Sequence, residues 1–565
     1  MSPLTPQAVA RSNHPGQNRG VTADSDGYLS HRQILVVMSG LMVGMFLAAL
    51  DQSIVSTALP RITSDLGGFS KLSWVVTAYL LASTASTPLW GKISDLYGRR
   101  LLFQVAIVVF MVGSLASGSS QNIDQLIAAR LVQGLGGGGL MAMALATVGD
   151  IIPPRERGRY QAYFAFTFGV SSVLGPVLGG FFADGPGWQW IFYINVPLGI
   201  VALVITSAAL KMQHVRRDHT IDYLGAAVIV ASVTSILLYT AWAGPEHGWG
   251  DPTSVALLAG GLVLAVVFVL IELRAKEPII PMRLFRNSIF SLANGFGFLI
   301  GIAMFGSMIF MPVYLQVVSG MSPTRSGLAM LPMIVGIFST SLTAGQIMSR
   351  TGRYRYFPPM GAALVATALL LLSRLDVDSP YWFAALSMYV FGAGLGLSLQ
   401  VVVVVVQNAV DRSDMGVATS SVAFFRQMGG SFGTALFGAI LTSRLSVHLA
   451  EVLPGGTSAA GKVDTNNTDA IKELPAAMRR LVQVAFSRSL EEMFLTAVPI
   501  VLLAGVLALF IKEVPLGTRQ DAEAQEDGEG EPSSSRSATS SPEVPTGSVS
   551  GSSSAASSGS SPTSV

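Results

Sequence analysis

An all-α polytopic membrane protein is the fold class that the sequence predicts, and three observations predict it. Half of the 565 residues are hydrophobic and only 12% are charged, against about 25% charged in a globular domain. Nearly charge-free stretches recur, each long enough for the ~20 residues that cross a ~30 Å hydrocarbon core. The cations gather on alternate loops. The same composition excludes a disordered chain, and a disulfide scaffold is excluded because there is no Cys. A net charge of +2 is too small for a nucleic-acid-binding surface.

Fourteen apolar stretches lie at 33–59, 72–90, 101–119, 125–149, 160–183, 191–210, 221–242, 254–272, 288–317, 326–347, 358–373, 383–406, 417–443 and 490–511. Residues 1–32 are polar, with no compact apolar core and no small-residue cleavage site, so a disordered tail is expected rather than a cleaved leader. Residues 513–565 are rich in Ser, Pro, Gly and acids, with nothing to bury, and are expected to be disordered too. The segment 444–489 is expected outside the membrane. Helical spacing from Asp469 to Phe494 predicts a surface helix resting at the interface before the last span.

With an inner N-terminus, 23 cations fall on inner loops and tails, among them Lys92, Arg99, Arg100, Arg159, Arg350 and Arg353. Four fall on the short outer loops, namely Arg61, Lys71, Arg325 and Arg374. An odd number of spans, or the opposite orientation, destroys this asymmetry. The positive-inside rule therefore sets both termini in the cytoplasm; the cytoplasmic membrane is the expected location.

An internal repeat divides the spans. Gly91-Lys-Ile-Ser-Asp95-Leu-Tyr-Gly98-Arg99-Arg100 follows the second span, and Gly345-Gln-Ile-Met-Ser349-Arg350-Thr-Gly352-Arg353 follows the tenth. The Gly, the Ile, the second Gly and the following Arg keep their offsets, on the same side of the membrane. Two six-helix bundles, 33–210 and 288–512, then flank an inserted helix pair with its linkers, 211–287. Parallel halves of this kind suit a rocking transporter.

These residues carry a resemblance to a known family. Gly91 to Arg100 resembles the signature after the second helix of major facilitator superfamily transporters, and fourteen spans resemble its drug:proton antiporter family of the EmrB/QacA type. Leu50-Asp51-Gln52-Ser-Ile-Val-Ser-Thr-Ala58-Leu-Pro60 is similar to that family's first-helix motif. Arg130-Leu-Val-Gln133-Gly134-Leu-Gly136 resembles the fourth-helix motif associated with proton coupling. Ser171-Ser-Val-Leu-Gly175-Pro176-Val-Leu-Gly179-Gly180 resembles the fifth-helix antiporter motif, and Arg426-Gln427-Met-Gly429-Gly430 the eleventh-helix pattern.

The resemblance implies a major facilitator fold with 14 transmembrane helices and proton-coupled efflux of hydrophobic or amphiphilic drug-like compounds. Export of a single metabolite, such as a self-made antibiotic, siderophore or lipid, is the alternative. It further implies a conformational switch at Gly91, Asp95, Gly98, Arg99 and Arg100, and an exchange-favouring hinge at Gly175, Pro176, Gly179 and Gly180. There are departures: Leu96 stands where the superfamily commonly has Arg, Ser349 where an Asp is usual, and Ser171 where the fifth-helix motif begins with Gly. A charge relay is therefore expected to be asymmetric between the halves.

Asp51 is the one carboxylate well inside a span, 18 residues from its inner start, or about 27 Å along a helix. Burial raises its proton affinity and a nearby cation lowers it, so the site can take a proton on one side and release it on the other. Arg130, at comparable depth, is the natural partner, since an Arg keeps its charge. A fixed structural ion pair is the competing reading. Asp95 is expected to begin the third helix, where its charge suits the helix N-terminus and can meet Arg99 or Arg100.

Candidates to line a substrate cavity are Gln52, Trp74, Tyr79, Met304, Phe305, Met308, Phe310, Met311, Tyr314, Gln316, Phe424 and Phe425, since aromatics and Met adapt to loosely specified ligands. Arg426 and Gln427 either line that cavity or form a buried hydrogen-bond knot. No Gly-x4-Gly-Lys-Ser/Thr loop is present, so ATP is not the expected energy source. The six histidines, His14, His31, His214, His219, His247 and His448, are expected in loops or tails, with no metal site. No cofactor and no enzymatic activity are expected. The partners are a small-molecule substrate, protons and the lipid bilayer, and the protein is expected to work as a monomer.

Overall fold

Each apolar stretch folds as one helix or as a helix with a local break. The helices are α1 (His31–Leu66), α2 (Leu72–Tyr97), α3 (Arg99–Gly118), α4 (Ile123–Ile151), α5 (Pro154–Asp184) and α6 (Trp190–Ala209, broken at Ile194). They continue with α7 (Tyr223–Trp242), α8 (Pro252–Glu272), α9 (Ser288–Val318, ending in a wider π turn), α10 (Leu331–Thr351), α11 (Phe357–Leu372), α12 (Tyr381–Asn408), α13 (Met415–Val452) and α14 (Ala476–Leu509). The computed structural model describes residues 31–66, 72–209, 222–242, 250–411, 414–452 and 474–514. Most of both expected tails, the linker 210–221 and the stretch 453–473 lie outside the described residues, as do His14, His214, His219 and His247.

Among the described residues, twelve helices are long and apolar enough to cross a membrane. The other two are α11, apolar but only 16 residues long, and α2, long enough at 26 residues but diluted by Ser, Thr, Lys92 and Asp95. Helix starts follow local chemistry. Side chains of Asn122, Asp251 and Asn287 accept from the first free backbone N–H groups of α4, α8 and α9. At the inner loops of the repeat, Gly98 (φ 93°) and Gly352 (φ 69°) both take left-handed backbone, which turns the chain sharply and strains any other residue. The sequence repeat thus places a positive-φ glycine at the same offset in both loops, although the two differ in ψ, 141° at Gly98 and 2° at Gly352.

Packing follows the same twofold plan. In the first set α1 packs on α5 and α6, and α4 on α2 and α3; in the second α9 packs on α13 and α14, and α12 on α10 and α11. The fourth helices of the two sets, α4 and α12, are the most enclosed, each with 83% of its apolar window buried, whereas α8 has 17%. Outer helices turn apolar stripes outward: Leu101, Val105, Val108, Val112 and Leu115 of α3 are all exposed at helical spacing, a face that suits lipid. The inserted pair α7 and α8 is joined by Ser232 Oγ donating to Gly261 O (2.8 Å) and Ser235 Oγ to Leu257 O (2.9 Å). It leans on α2 and α13, with Trp74 and Trp242 edge-to-face at 5.2 Å.

The outer segment departs from expectation. Instead of a surface helix joined to a span, α14 is continuous from Ala476, and α13 runs on to Val452. Val482, Ala485, Phe486 and Leu490 are buried in the main core, so the apolar face that suggested an interfacial helix packs on protein. His448 likewise sits on this extension of α13 and not in a loop, between Glu451 (3.2 Å) and Glu492 (3.0 Å).

Candidate functional site

Asp51 lies on α1 with no exposed surface, and Arg130 of α4 reaches it through Nη1 as a direct ion pair. Gln133, one helical turn beyond Arg130, ties both together: its Oε1 accepts from Arg130 (2.8 Å) and its Nε2 donates to Asp51 Oδ1 (2.8 Å). Asn195 of α6 donates to the same oxygen at 3.3 Å and to Ser114 Oγ at 2.9 Å, and Ser114 donates onward to Phe192 O. Arg130 is further held by Val75 O (3.2 Å) and by the Tyr79 ring, 4.3 Å from its Cζ. Five helices thus meet on one carboxylate. A buried charge is tolerated only when paired and hydrogen-bonded, and this one is both.

The α2–α3 loop builds a second polar cluster at the basic end of the bundle. Arg99 pairs with Asp95 and, through Nε, with Asp150 of α4 at 2.7 Å, and it also meets Ser94 Oγ. Asp95 lies in the last turn of α2, not at the start of α3 as expected. The helix N-terminus it faces is that of α13, where the Val417 amide donates to Asp95 Oδ2 at 3.1 Å. The electrostatic logic holds, with a helix of the other half in the role. Burial pushes the Asp95 carboxyl up to about 6, with Arg99 opposing. Gly91 has no room for a Cβ beside Ser420 and Gly416 O of α13, and Gly345 packs on the backbone of Gly158 in α5. Both copies of the repeat therefore clamp one half on the other. Arg100 stands apart from the cluster and donates to Ser207 O at 2.8 Å.

The basic end is sealed. Gly136–Gly149 of α4, Val401–Gln407 of α12 and Met415–Phe424 of α13 are buried without a break. Gln407 crosses between halves to Leu145 O at 3.2 Å. On α13 the enclosure ends abruptly: Phe425, Arg426, Gln427 and Met428 are all half-buried. Gln52, Trp74 and Phe305 are half-buried as well, and Gln427 accepts from Thr84 of α2 at 3.2 Å. Met308, Phe310 and Gln316 are half-buried too, and the other cavity candidates are enclosed. Tyr79 packs on Arg130, Tyr314 donates to Asp376 O at 3.0 Å, and Met304, Met311 and Phe424 are buried, while Gln316 donates to Ser326 Oγ at 2.9 Å. In α5, Gly175 fits closely against Ser53 of α1, which donates to Ser171 O at 2.9 Å; Gly179 is buried and Gly180 borders open space. Pro176 approaches Gly327 of the other half.

Residues 41–434 match the Major Facilitator Superfamily over most of the helical region. The chain belongs to that superfamily. An uncharacterised MFS-type transporter of Mycobacterium tuberculosis (strain ATCC 25618 / H37Rv) is 40% identical over 88% of this chain and 72% of its own length. The multidrug transporter protein MdtP of Bacillus subtilis (strain 168) is 34% identical over 89% of this chain and 97% of its own. Among solved structures, the MFS proton:xylose symporter XylE superposes with a TM-score of 0.56 at 14% identity, over 87% of this chain and 99% of that one. That likeness supports the fold alone.

Within this superfamily member, the sequence alone left out several participants, among them Ser114, Ser94 and the three that follow. Asn195 was signalled by being an amide inside an apolar span. Asp150 was visible as a span-end acid, but not its pairing with Arg99. The Val417 amide carries no side-chain signal at all.

Proposed function

We propose that the protein is a proton-coupled efflux transporter that exports hydrophobic or amphiphilic compounds across the cytoplasmic membrane, with both termini inside. The observation that carries this reading is the enclosed Asp51–Arg130–Gln133–Asn195 knot, the one deep carboxylate of the chain, set two residues from the Ser53–Gly175 contact of α1 with α5. The name of MdtP, a multidrug transporter, agrees with it. In the sealed-inside arrangement, a proton reaching Asp51 neutralises it and frees Arg130 from its ion pair. The contacts joining α1, α4 and α6 then loosen together, and the Asp95 clamp on α13 sets how readily the inner end opens. Proton and substrate favour different states, so movement of one down its gradient drives the other.

Asp51→Asn tests this directly. The variant is expected to reach the membrane in normal amount and to fail to concentrate substrate in everted vesicles. Ligand addition is expected to release protons from the wild-type protein in weakly buffered detergent and few or none from the variant. An Asp51→Asn protein that still pumps uphill places the coupling acid elsewhere, and wild-type export that survives collapse of both the pH difference and the membrane potential overturns proton coupling.

A further inference from the structure

Away from span ends, the apolar stretches hold three charged residues: Asp51, Arg130 and Arg426. The first two neutralise each other inside the knot, with 0% and 1% of their side chains exposed. Arg426 remains. Its guanidinium has no hydrogen bond or ion pair among the described residues, and it is partly exposed.

Its direction follows from helix geometry. On α13, Gln427, Ser420 and Gly416 face α2, as their contacts with Thr84, Gly91 and Asp95 show. Gly429, Gly433 and the Arg426 carbonyl lie against the backbone of α9. At about 100° per residue, the Arg426 side chain projects into the sector between α2 and α9. It leaves α13 at the level where enclosure ends, beside Phe425 and Gln427. A guanidinium facing hydrocarbon costs at least a few kcal/mol; one facing a wet crevice does not. The crevice therefore has a permanent positive charge on its wall, with amide and aromatic groups around it. No carboxylate faces it among the described deep positions, because Asp51 is sealed away.

We infer that this transporter selects amphiphilic anions, and that Arg426 receives the acidic group of the substrate (a carboxylate, sulfonate or phosphate) while Phe305, whose ring packs on Gly430 in the same sector, meets its apolar body. A quaternary ammonium ligand finds a like charge and no counter-ion. This rests on the exporter reading for its physiological meaning. It concerns binding alone, however, and so is testable without a gradient.

The experiment uses the full chain in lipid nanodiscs and three fluorescent probes sharing a dansyl-undecyl skeleton, ending in carboxylate, carboxamide or trimethylammonium. The wild-type protein is expected to bind the carboxylate about tenfold more tightly than the trimethylammonium probe, and the carboxamide in between. Arg426→Gln is expected to abolish that preference with little change for the carboxamide, and Arg426→Lys to keep most of it. A wild-type protein that binds the cation as well as the anion overturns the inference without need of any variant. So does an Arg426→Gln protein that keeps the preference, or the absence of saturable carboxylate binding. Asp51→Asn separates the two readings: charge selectivity that persists in an Asp51→Asn protein still able to pump sinks proton coupling at Asp51 and leaves the anion site standing.

Discussion

Gln133 is satisfied on both sides of its amide: Oε1 accepts from Arg130 and Ser117, and Nε2 donates to Asp51 and Ser114. Gln133→Met keeps the volume and removes every one of these bonds, stranding a buried carboxylate and a buried guanidinium with fewer partners. A loss of about 1–3 kcal/mol is expected, read as a lower melting temperature of the purified protein, together with weakened proton release on ligand addition. Asp95 offers a pH test. Its carboxyl titrates near 6 in the closed clamp and near the ordinary 3.8 when released to solvent. The closed clamp thus binds the proton more tightly, so acid favours closure; the gain is complete below about pH 4 and lost as pH rises through about 6. A single cysteine at Ser420, buried beside Gly91, reports it in this Cys-free chain. Labelling, normalised to the denatured protein, is expected to quicken from pH 5 to pH 8 in the wild-type background and to stay flat in Asp95→Asn.

At the scale of elements, the clamp depends on backbones meeting where two glycines allow it. A Cβ on Gly345 would stand 2.5 Å from the Gly158 carbonyl carbon, so no side-chain rearrangement makes room for it. Gly345→Leu is expected to part α5 from α10 at the basic end and raise the labelling of a cysteine at Gln407 several-fold; unchanged labelling would mean that this contact does not hold the end shut. The fourteen helices were legible in advance because a span declares itself by length and lack of charge, and the Asp51–Arg130 pair because two opposite charges at one depth have few other partners. What escaped notice depended on direction. Whether Tyr79 lines a cavity or packs on Arg130 is a matter of rotation about α2, and period alone does not resolve it where polar and apolar residues mix on every face. The stretch from Asp469 to Phe494 is ambiguous for a related reason: an amphipathic stripe looks the same whether its apolar side meets lipid or the protein core.

For the whole molecule, orientation is open to direct measurement. Single cysteines at Ser349 and Ser119, half-buried and exposed at opposite ends, are expected to label from the cytoplasm and from outside respectively; the reverse inverts the arrangement. Exchange of an entering proton for a departing monovalent anion moves two charges in the favourable direction. That is worth about 4.6 kcal/mol per 100 mV of inside-negative potential, so a potassium diffusion potential is expected to drive export of an anionic probe without any pH difference. The inserted pair has a consequence at the same scale. Two seams run between the halves, α2 against α13 and α5 against α10, and the pair α7–α8 leans on the first alone. A twofold bundle is thereby given a front and a back. A molecule dissolved in the bilayer finds one seam screened by two extra helices and the other bare, so if substrate enters from the lipid, the side of α5 and α10 is the one open to it.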